Sequence, residues 1–295
     1  MGQVQVESIG GSFAYEVKGL GLWEELPQAV VDELAEMWSS RGVLVFRRQA
    51  LSEDELVAFS RRFGQPEVIV RTDWQGYRPE VIQISNMRNQ AGKAIGGLGA
   101  GELGWHSDQS YVADPATGSV LYMVEKTPDG GRTYWANLQL AYDALPPALK
   151  EAVEGKEAVF DYLKRQSTYD DEKPMSQELR RKTPPIAHPL VNVHPRTGRK
   201  SLYLDPTTTV GVLGLSEREG ADLLATLNAH ATRPEFVYTH HWQVGDVVMW
   251  DNGFLLHRRD EFDPSRNRWL KRTTLKLHPE RHIVPRTTTV TEEAA

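Results

Sequence analysis

The sequence predicts a mainly β fold, a sandwich or barrel with helices flanking it. Short β-rich runs recur along the chain, Gly, Pro and Asn or Asp punctuate them, and helical spacing of apolar residues is confined to four segments. No internal repeat breaks the chain into units, so one domain is expected over residues 1–295.

In chain order, apolar residues at helical spacing predict a first helix in LPQAVVDELAEMWSSRG, followed by the strand VLVF. A second helix follows in LSEDELVAFSRRFG. There Ser52 and Glu55 spell a capping box, hydroxyl and carboxylate each satisfying a free amide of the first turn. The β-rich runs VIQIS, GSVLYMV and RTYW come next, then helical LQLAYDALPPALKEAVEG and the strand SLYL. A fourth helix, LSEREGADLLATLNAH, repeats the capping spelling with Ser216 and Glu219. EFVYTH, DVVMW and RWLKRTTLKL complete the strands. Two polar stretches, 88–104 and 164–185, are expected to be active-site loops, and 286–295 a polar tail that frays.

Composition excludes several classes. Hydrophobic residues at 40% and charged residues at 25% are ordinary for a globular chain, and 295 residues suffice to bury a full core. VVMW and VLVF are too short to span a bilayer, and the N-terminal MGQVQVESIGGSFAYEV lacks the segments of a signal peptide. A cytoplasmic protein with no membrane partner is expected. The net charge of -6, with dispersed Lys and Arg, gives no reason to expect a nucleic-acid partner. Cysteine is absent, so any metal must be held by His, Asp or Glu.

The stretch GWHSDQSY offers such ligands. On a strand, side chains alternate between faces, so His106 and Asp108 would point one way and Ser107 the other. An H-x-D alone is weak, because a hydrogen-bonded His near a turn gives the same spelling. A second segment, VGDVVMWDNGFLLHRRDEFDPSRNRWLKRTTL, supplies His257 and, four apart on a β-patterned run, Arg268 and Arg272. A buried arginine calls for an anion, and its planar fork suits a carboxylate. Two His and one Asp leave three positions open on an iron centre. A 2-oxo acid can fill two of them and dioxygen the third, with Arg268 anchoring the far carboxylate. A three-ligand site also suits a zinc hydrolase, although that reading leaves the paired arginines without a role. A metal-binding jelly roll that senses without turnover is a further alternative.

The segments GVLVFRRQALSEDELVAFSRRFG, WHSDQSY, TPDGGRTYWANLQLAYDALP, HPLVNVHPRTGRKSLYL, HATRPEFVYTHHWQVGDVVMWDNGFLLHR and RTTL, in that order, resemble the Fe(II)/2-oxoglutarate-dependent dioxygenases of the taurine dioxygenase and 2,4-dichlorophenoxyacetate dioxygenase family. The likeness covers nearly the whole chain. It implies a double-stranded β-helix, a cupin-like jelly roll, and Fe(II), 2-oxoglutarate and O2 as cofactor and co-substrates. It further implies that His106, Asp108 and His257 ligate the iron and that Thr133 and Arg268 meet the far carboxylate of 2-oxoglutarate. Arg272 would serve co-substrate or substrate, and Trp250 would lie close to the metal. The implied reaction oxidises an aliphatic C–H of a small, anionic organic molecule and releases succinate and carbon dioxide. Hydroxylation, hydroxylation-driven cleavage and desaturation all fit, whereas Asp108 disfavours halogenation, since radical halogenases lack a carboxylate there. A homodimer or homotetramer is the expected assembly.

The chain departs from the family pattern in two places. Arg132 stands where an acidic residue usually precedes the threonine, a change expected to alter a surface interaction. Val and Ile follow FGQPE where taurine dioxygenase has a histidine for the sulfonate, which argues against taurine. Tyr111, Arg71, Asn86, Arg88 and Arg272 are the candidate substrate contacts, each with a plain structural reading beside it. Among the other histidines, His188 and His194 read as structural, and adjacent His240 and His241 face opposite ways on a strand. His230, His278 and His282 read as solvent or interface residues, and Arg258 and Arg259 as ion-pair partners of Asp260 and Glu261.

Overall fold

The computed structural model describes residues 4–68, 72–166 and 177–290. The strands in chain order are β1 (Gln5–Gly10), β2 (Ala14–Lys18), β3 (Val43–Phe46), β4 (Gly64–Pro66), β5 (Ile82–Ser85), β6 (Leu103–His106), β7 (Gly118–Glu125), β8 (Thr133–Asn137) and β9 (Glu157–Phe160). They continue with β10 (Ile186–Pro189), β11 (Val191–Val193), β12 (Lys200–Leu202), β13 (Thr209–Val212), β14 (Val237–His240), β15 (Val247–Asp251), β16 (Leu255–Arg259), β17 (Trp269–Leu277) and β18 (Thr288–Thr289). Helices are α1 (Gln28–Arg41), α2 (Glu53–Ser60), α3 (Leu138–Asp143), α4 (Pro147–Val153), α5 (Tyr162–Gln166), α6 (Gln177–Lys182) and α7 (Glu217–Ala231).

The jelly roll is formed by two sheets. The larger runs β1-β2-β3-β15-β7-β17-β4, with β5 also on β17; the smaller runs β14-β8-β16-β6. The apolar runs VLVF and VVMW are continuous rather than alternating because both faces of their sheet are covered. Leu44, Phe46, Val247 and Met249 pack outward with Leu34, Trp38, Leu56 and Phe59 of α1 and α2. Their neighbours Val43, Val45, Val248 and Trp250 turn inward and join Trp135, Leu255 and Trp242 between the sheets. A third cluster seats α3 and α7 against the smaller sheet and the β9–β13 region.

Both capping boxes form as spelled, Ser52 with Glu55 and Ser216 with Glu219. The third helical segment divides into α3 and α4, because Pro146 and Pro147 cannot continue an intrahelical ladder and Pro147 instead starts a new helix. Within EFVYTH only residues 237–240 are strand, since Pro234–Phe236 tightens into a 3-10 turn. The tail begins ordered: Thr288 and Thr289 pair antiparallel with Ala187 and Ile186 of β10.

Two of the remaining histidines expected at the surface are inside. His230 Nε2 bonds the Ala141 carbonyl at 2.9 Å, and His282 Nδ1 bonds Asp251 at 2.7 Å, so polar partners make burial tolerable. His278 is exposed, and His240 is buried while His241 faces solvent, as alternation requires. Arg258 meets Asp260 at 3.3 Å, but Arg259 is buried and donates to the Gly101 carbonyl.

Candidate metal centre

β6 and β16 are neighbours in the smaller sheet, and their register sets His257 directly opposite His106. Antiparallel partners place side chains on the same face, which brings two distant imidazoles to a ring separation of 4.1 Å. Asp108 reaches the same cavity by another route than strand alternation. β6 ends at His106, and the carboxylate is carried by the turn that follows, where Gln109 takes φ 56°. Ser107 is buried rather than outward: its amide donates to Asp205 and its hydroxyl to the Asn252 carbonyl. Buried Asp205 also accepts from Ser110, so one carboxylate holds both flanks of Asp108 in place.

One potential ligand atom from each of His106, Asp108 and His257 lies within 4.8 Å of the other two; among the described residues this is the one His/Asp/Glu group so arranged. His106 Nδ1 donates to the Gly104 carbonyl at 2.7 Å, which fixes the tautomer and leaves Nε2 a free lone pair. His257 Nδ1 is buried with no partner, and its Nε2 lies 3.9 Å from Asp108 Oδ1. Burial pushes the His106 imidazole down to about 3, with the His257 charge adding to the shift; burial likewise takes His257 down to about 4 against the pull of Asp108. Burial pushes the Asp108 carboxyl up, but Arg272, His257, His106 and the Ser119 bond outweigh it and hold the group below the usual carboxylate range. Two neutral imidazoles and one carboxylate are thus the donor set at pH 7. They fit a divalent metal, and Fe(II) in particular suits two His and one carboxylate with positions left open.

Arg272 Nη1 donates to Asp108 Oδ1 at 2.9 Å and Oδ2 at 3.1 Å, so this guanidinium sits at the ligand itself. The Trp250 ring packs 4.9 Å from His257. Thr133, at the start of β8, is buried, and its oxygen accepts from Trp242 Nε1 at 2.9 Å. An indole N–H only donates, so Thr133 keeps its own proton for an acceptor elsewhere.

Arg268 is buried to 3% exposure and donates to the Gly131 carbonyl at 3.0 Å; among the described residues no carboxylate pairs with it. Burial and then the Arg259 charge hold its pKa well below the ordinary value, and an anion beside it would relieve the cost of the buried cation. Gly131 adopts φ 63°, and a Cβ there would meet Arg268 Nε at 2.8 Å, so glycine is needed both for the turn and for the guanidinium. Thr133 offers a hydroxyl proton and Arg268 a buried cation, the two kinds of donor that a carboxylate accepts.

The other candidate contacts lie differently. Asn86 uses its amide on backbone: Nδ2 donates to the carbonyls of Pro264 and Arg266, and Oδ1 accepts from the Arg268 amide. Arg88 donates to Gly92 within its own loop. Tyr111 packs its ring 4.3 Å from Tyr162 of α5, close to the ligand turn. Arg71 and residues 167–176 of the second loop lie outside the described residues. Arg132, the departure from the expected acid, pairs with Asp260 at 2.7 Å on the outside.

Sequence reading missed Arg165, whose charge acts on both His106 and His257, although it lies in a loop already singled out. It also missed Trp242, Asp205, Ser119 and Asn252. None of these carries a motif, although Ser119, Trp242 and Asn252 stand within runs quoted for their strands or for the family likeness.

Known proteins resemble this chain along most of its length. Residues 5–274 match the Taurine catabolism dioxygenase TauD, TfdA family. The chain is 38% identical over 273 residues to an alpha-ketoglutarate-dependent 2,4-dichlorophenoxyacetate dioxygenase from Cupriavidus pinatubonensis, covering 89% of this chain and 94% of the relative. It is 30% identical over 280 residues to pentalenolactone F synthase from Streptomyces avermitilis, covering 89% and 91%. A crystal structure of AAD-2 with Mn(II) and N-oxalylglycine superposes with a TM-score of 0.80 at 31% identity, covering 94% of this chain and 98% of that one.

Proposed function

The chain belongs to the Taurine catabolism dioxygenase TauD, TfdA family, and from that membership we propose that His106, Asp108 and His257 hold Fe(II), that Thr133 and Arg268 receive 2-oxoglutarate, and that the substrate is a small organic anion. It is a 2-oxoglutarate-dependent dioxygenase, an oxidoreductase that uses Fe(II), 2-oxoglutarate and O2. The relatives named above do not favour a zinc hydrolase or a silent sensor. The observation that carries the site assignment is the convergence of one potential ligand atom from each of the three residues within 4.8 Å.

Bound iron supplies the activation of dioxygen that couples decarboxylation of 2-oxoglutarate, giving succinate and carbon dioxide, to oxidation of a substrate C–H. The protein's own residues prepare that chemistry. Gly104 keeps the His106 proton on Nδ1, so Nε2 can bind metal. Trp242 donates to the Thr133 oxygen, which leaves the hydroxyl proton for a co-substrate carboxylate, while Arg268 supplies the charge. Trp250, Trp135 and Leu255 line the interior and exclude water from beneath the ligands. On the substrate side, Arg272 and Arg165 place positive charge near the ligands, and the mutually tilted Tyr111 and Tyr162 rings, 4.3 Å apart, offer an aromatic wall. This favours a small anion, and aryloxyalkanoates, the class named for the 2,4-dichlorophenoxyacetate relative, are the first to try. Hydroxylation, or hydroxylation followed by cleavage, is the proposed outcome.

A cytoplasmic homodimer or homotetramer without nucleic-acid or membrane partners completes the reading; the dispersed Lys and Arg bear on the nucleic-acid part alone. Anaerobic addition of Fe(II) with 2-oxoglutarate should produce a metal-to-ligand charge-transfer band, and a panel of organic acids under oxygen should show succinate release coupled to a substrate mass change. No band and no succinate would overturn the assignment.

A further inference from the structure

Asp108 has two oxygens, and a chain of buried side chains treats them differently. It begins at Trp250, whose Nε1–H donates to Asn252 Oδ1 at 2.8 Å. Because an indole only donates, that bond fixes which end of the Asn252 amide faces which way. The NH2 end, Nδ2, then lies 3.3 Å from Ser119 Oγ and donates to it. With a donor already on its oxygen, Ser119 directs its own proton to Asp108 Oδ2 at 2.9 Å. Ser119 and Trp250 are cross-strand partners on β7 and β15, so the sheet sets their spacing. Asn252 is held at both ends of its backbone, its amide on the Thr117 carbonyl and its carbonyl under the Ser107 hydroxyl.

We propose that Ser119 and Asn252 are positioning residues that make Asp108 a single-oxygen ligand, through a one-way hydrogen-bond chain running from Trp250 to Asp108 Oδ2. Oδ2 takes donors from both Ser119 and Arg272, whereas Oδ1 takes only Arg272 and faces His257 Nε2. A carboxylate bound through one oxygen leaves three positions open on a six-coordinate metal, and one bound through both leaves two. The difference is the place that a third ligand needs beside a two-point co-substrate. The same chain links two ligands, since the Trp250 ring that starts it also packs against His257. Partners of this kind orient metal ligands, and losing one typically weakens metal binding ~10–100-fold.

The inference rests on the reading of Asp108 as a ligand, and the test separates the two. Mn(II) affinity by electron paramagnetic resonance, the visible spectrum of the Co(II)-loaded protein, and the thermal midpoint would be measured for the unmodified protein, Asp108→Ala, Ser119→Ala, Asn252→Asp and the Ser119→Ala/Asn252→Asp double variant. Asp108→Ala should abolish tight Mn(II) binding; if it binds like the unmodified protein, the ligand reading fails. Given that loss, Ser119→Ala should bind Mn(II) ~10–100-fold more weakly and shift the Co(II) bands while remaining folded. Asn252→Asp keeps the acceptor for Trp250 but removes the donor to Ser119, and should shift the bands in the same direction. In the double variant the two effects should not add, because without the Ser119 hydroxyl the Asn252 amide has no route to Asp108. Unmodified affinity and spectra in both single variants, or strictly additive effects in the double, would overturn the chain.

Discussion

Arg272 Nη1 touches both oxygens of Asp108, at 2.9 and 3.1 Å, and so occupies the carboxylate that the metal is to bind. Without metal the pair neutralises a charge buried among two uncharged imidazoles. Arg272→Ala should therefore destabilise the metal-free protein by about 3 kcal/mol, the usual cost of stranding one member of a buried pair. Mn(II) should restore most of that loss, because the metal takes over neutralisation. A thermal-shift comparison with and without Mn(II) checks this; an equal loss in both states would show that Arg272 acts through packing instead.

His106→Ala and Asp108→Ala should eliminate the charge-transfer band and succinate release while leaving the fold, since neither side chain anchors one of the large apolar clusters. His188→Ala should retain metal. The two ring nitrogens of His188 each lie 3.0 Å from a backbone carbonyl, of Ser110 and Arg286, and the imidazole lies outside the ligand group. Metal titration of the three variants decides.

The co-substrate end should respond separately from the metal. Thr133→Val removes one hydroxyl and should raise the KM for 2-oxoglutarate ~5–10-fold, the worth of about one hydrogen bond, with metal affinity unchanged. Trp242→Phe keeps an aromatic ring but frees the Thr133 oxygen, so its KM should rise in the same direction by less. Gly131→Ala should raise KM too, because its Cβ would push against Arg268 Nε. Steady-state kinetics paired with metal titration checks all three.

Acid should weaken the fold through its buried imidazoles. Burial lowers His188, His194 and His240 below 6.5 in the native state. The unfolded chain takes up these protons near the ordinary value, so below it the unfolded state binds more protons than the native one. Their contribution is fully present above pH ~6.5 and declines as pH falls from there, by up to ~1.4 kcal/mol per pH unit for each group. Denaturant unfolding of the metal-free protein at pH 7 and pH 5 should show the midpoint falling; a midpoint that holds or rises would contradict it.

Much of the candidate site is legible in the chain. His106, Asp108 and His257 stand out because few residue types bind metal and cysteine is absent. Arg268 stands out because it shares a face with Arg272, four residues on along a β-patterned run, and a buried arginine needs an anion. Asn86 illustrates the limit: a polar residue after a strand reads equally well as a substrate contact or as a brace, and its hydrogen bonds to residues 264, 266 and 268 put it among the braces. Asp108 illustrates another, since strand alternation gives the right direction for the wrong reason, the strand having ended at His106.

Local periodicity and side-chain chemistry made β3, β5, β7, β15 and β17, the helical segments, both capping boxes and the metal-binding residue types legible, but neither the break between α3 and α4 nor the site strands β6 and β16. The tertiary structure alone decided that β6 and β16 pair in the register that sets His106 opposite His257. It alone placed Arg272 on Asp108 and passed a hydrogen-bond chain from Trp250 through Asn252 and Ser119. Serine, asparagine and tryptophan carry no mark of such a role in a linear chain. Their donors and acceptors acquire direction only when neighbouring strands bring them within hydrogen-bonding distance.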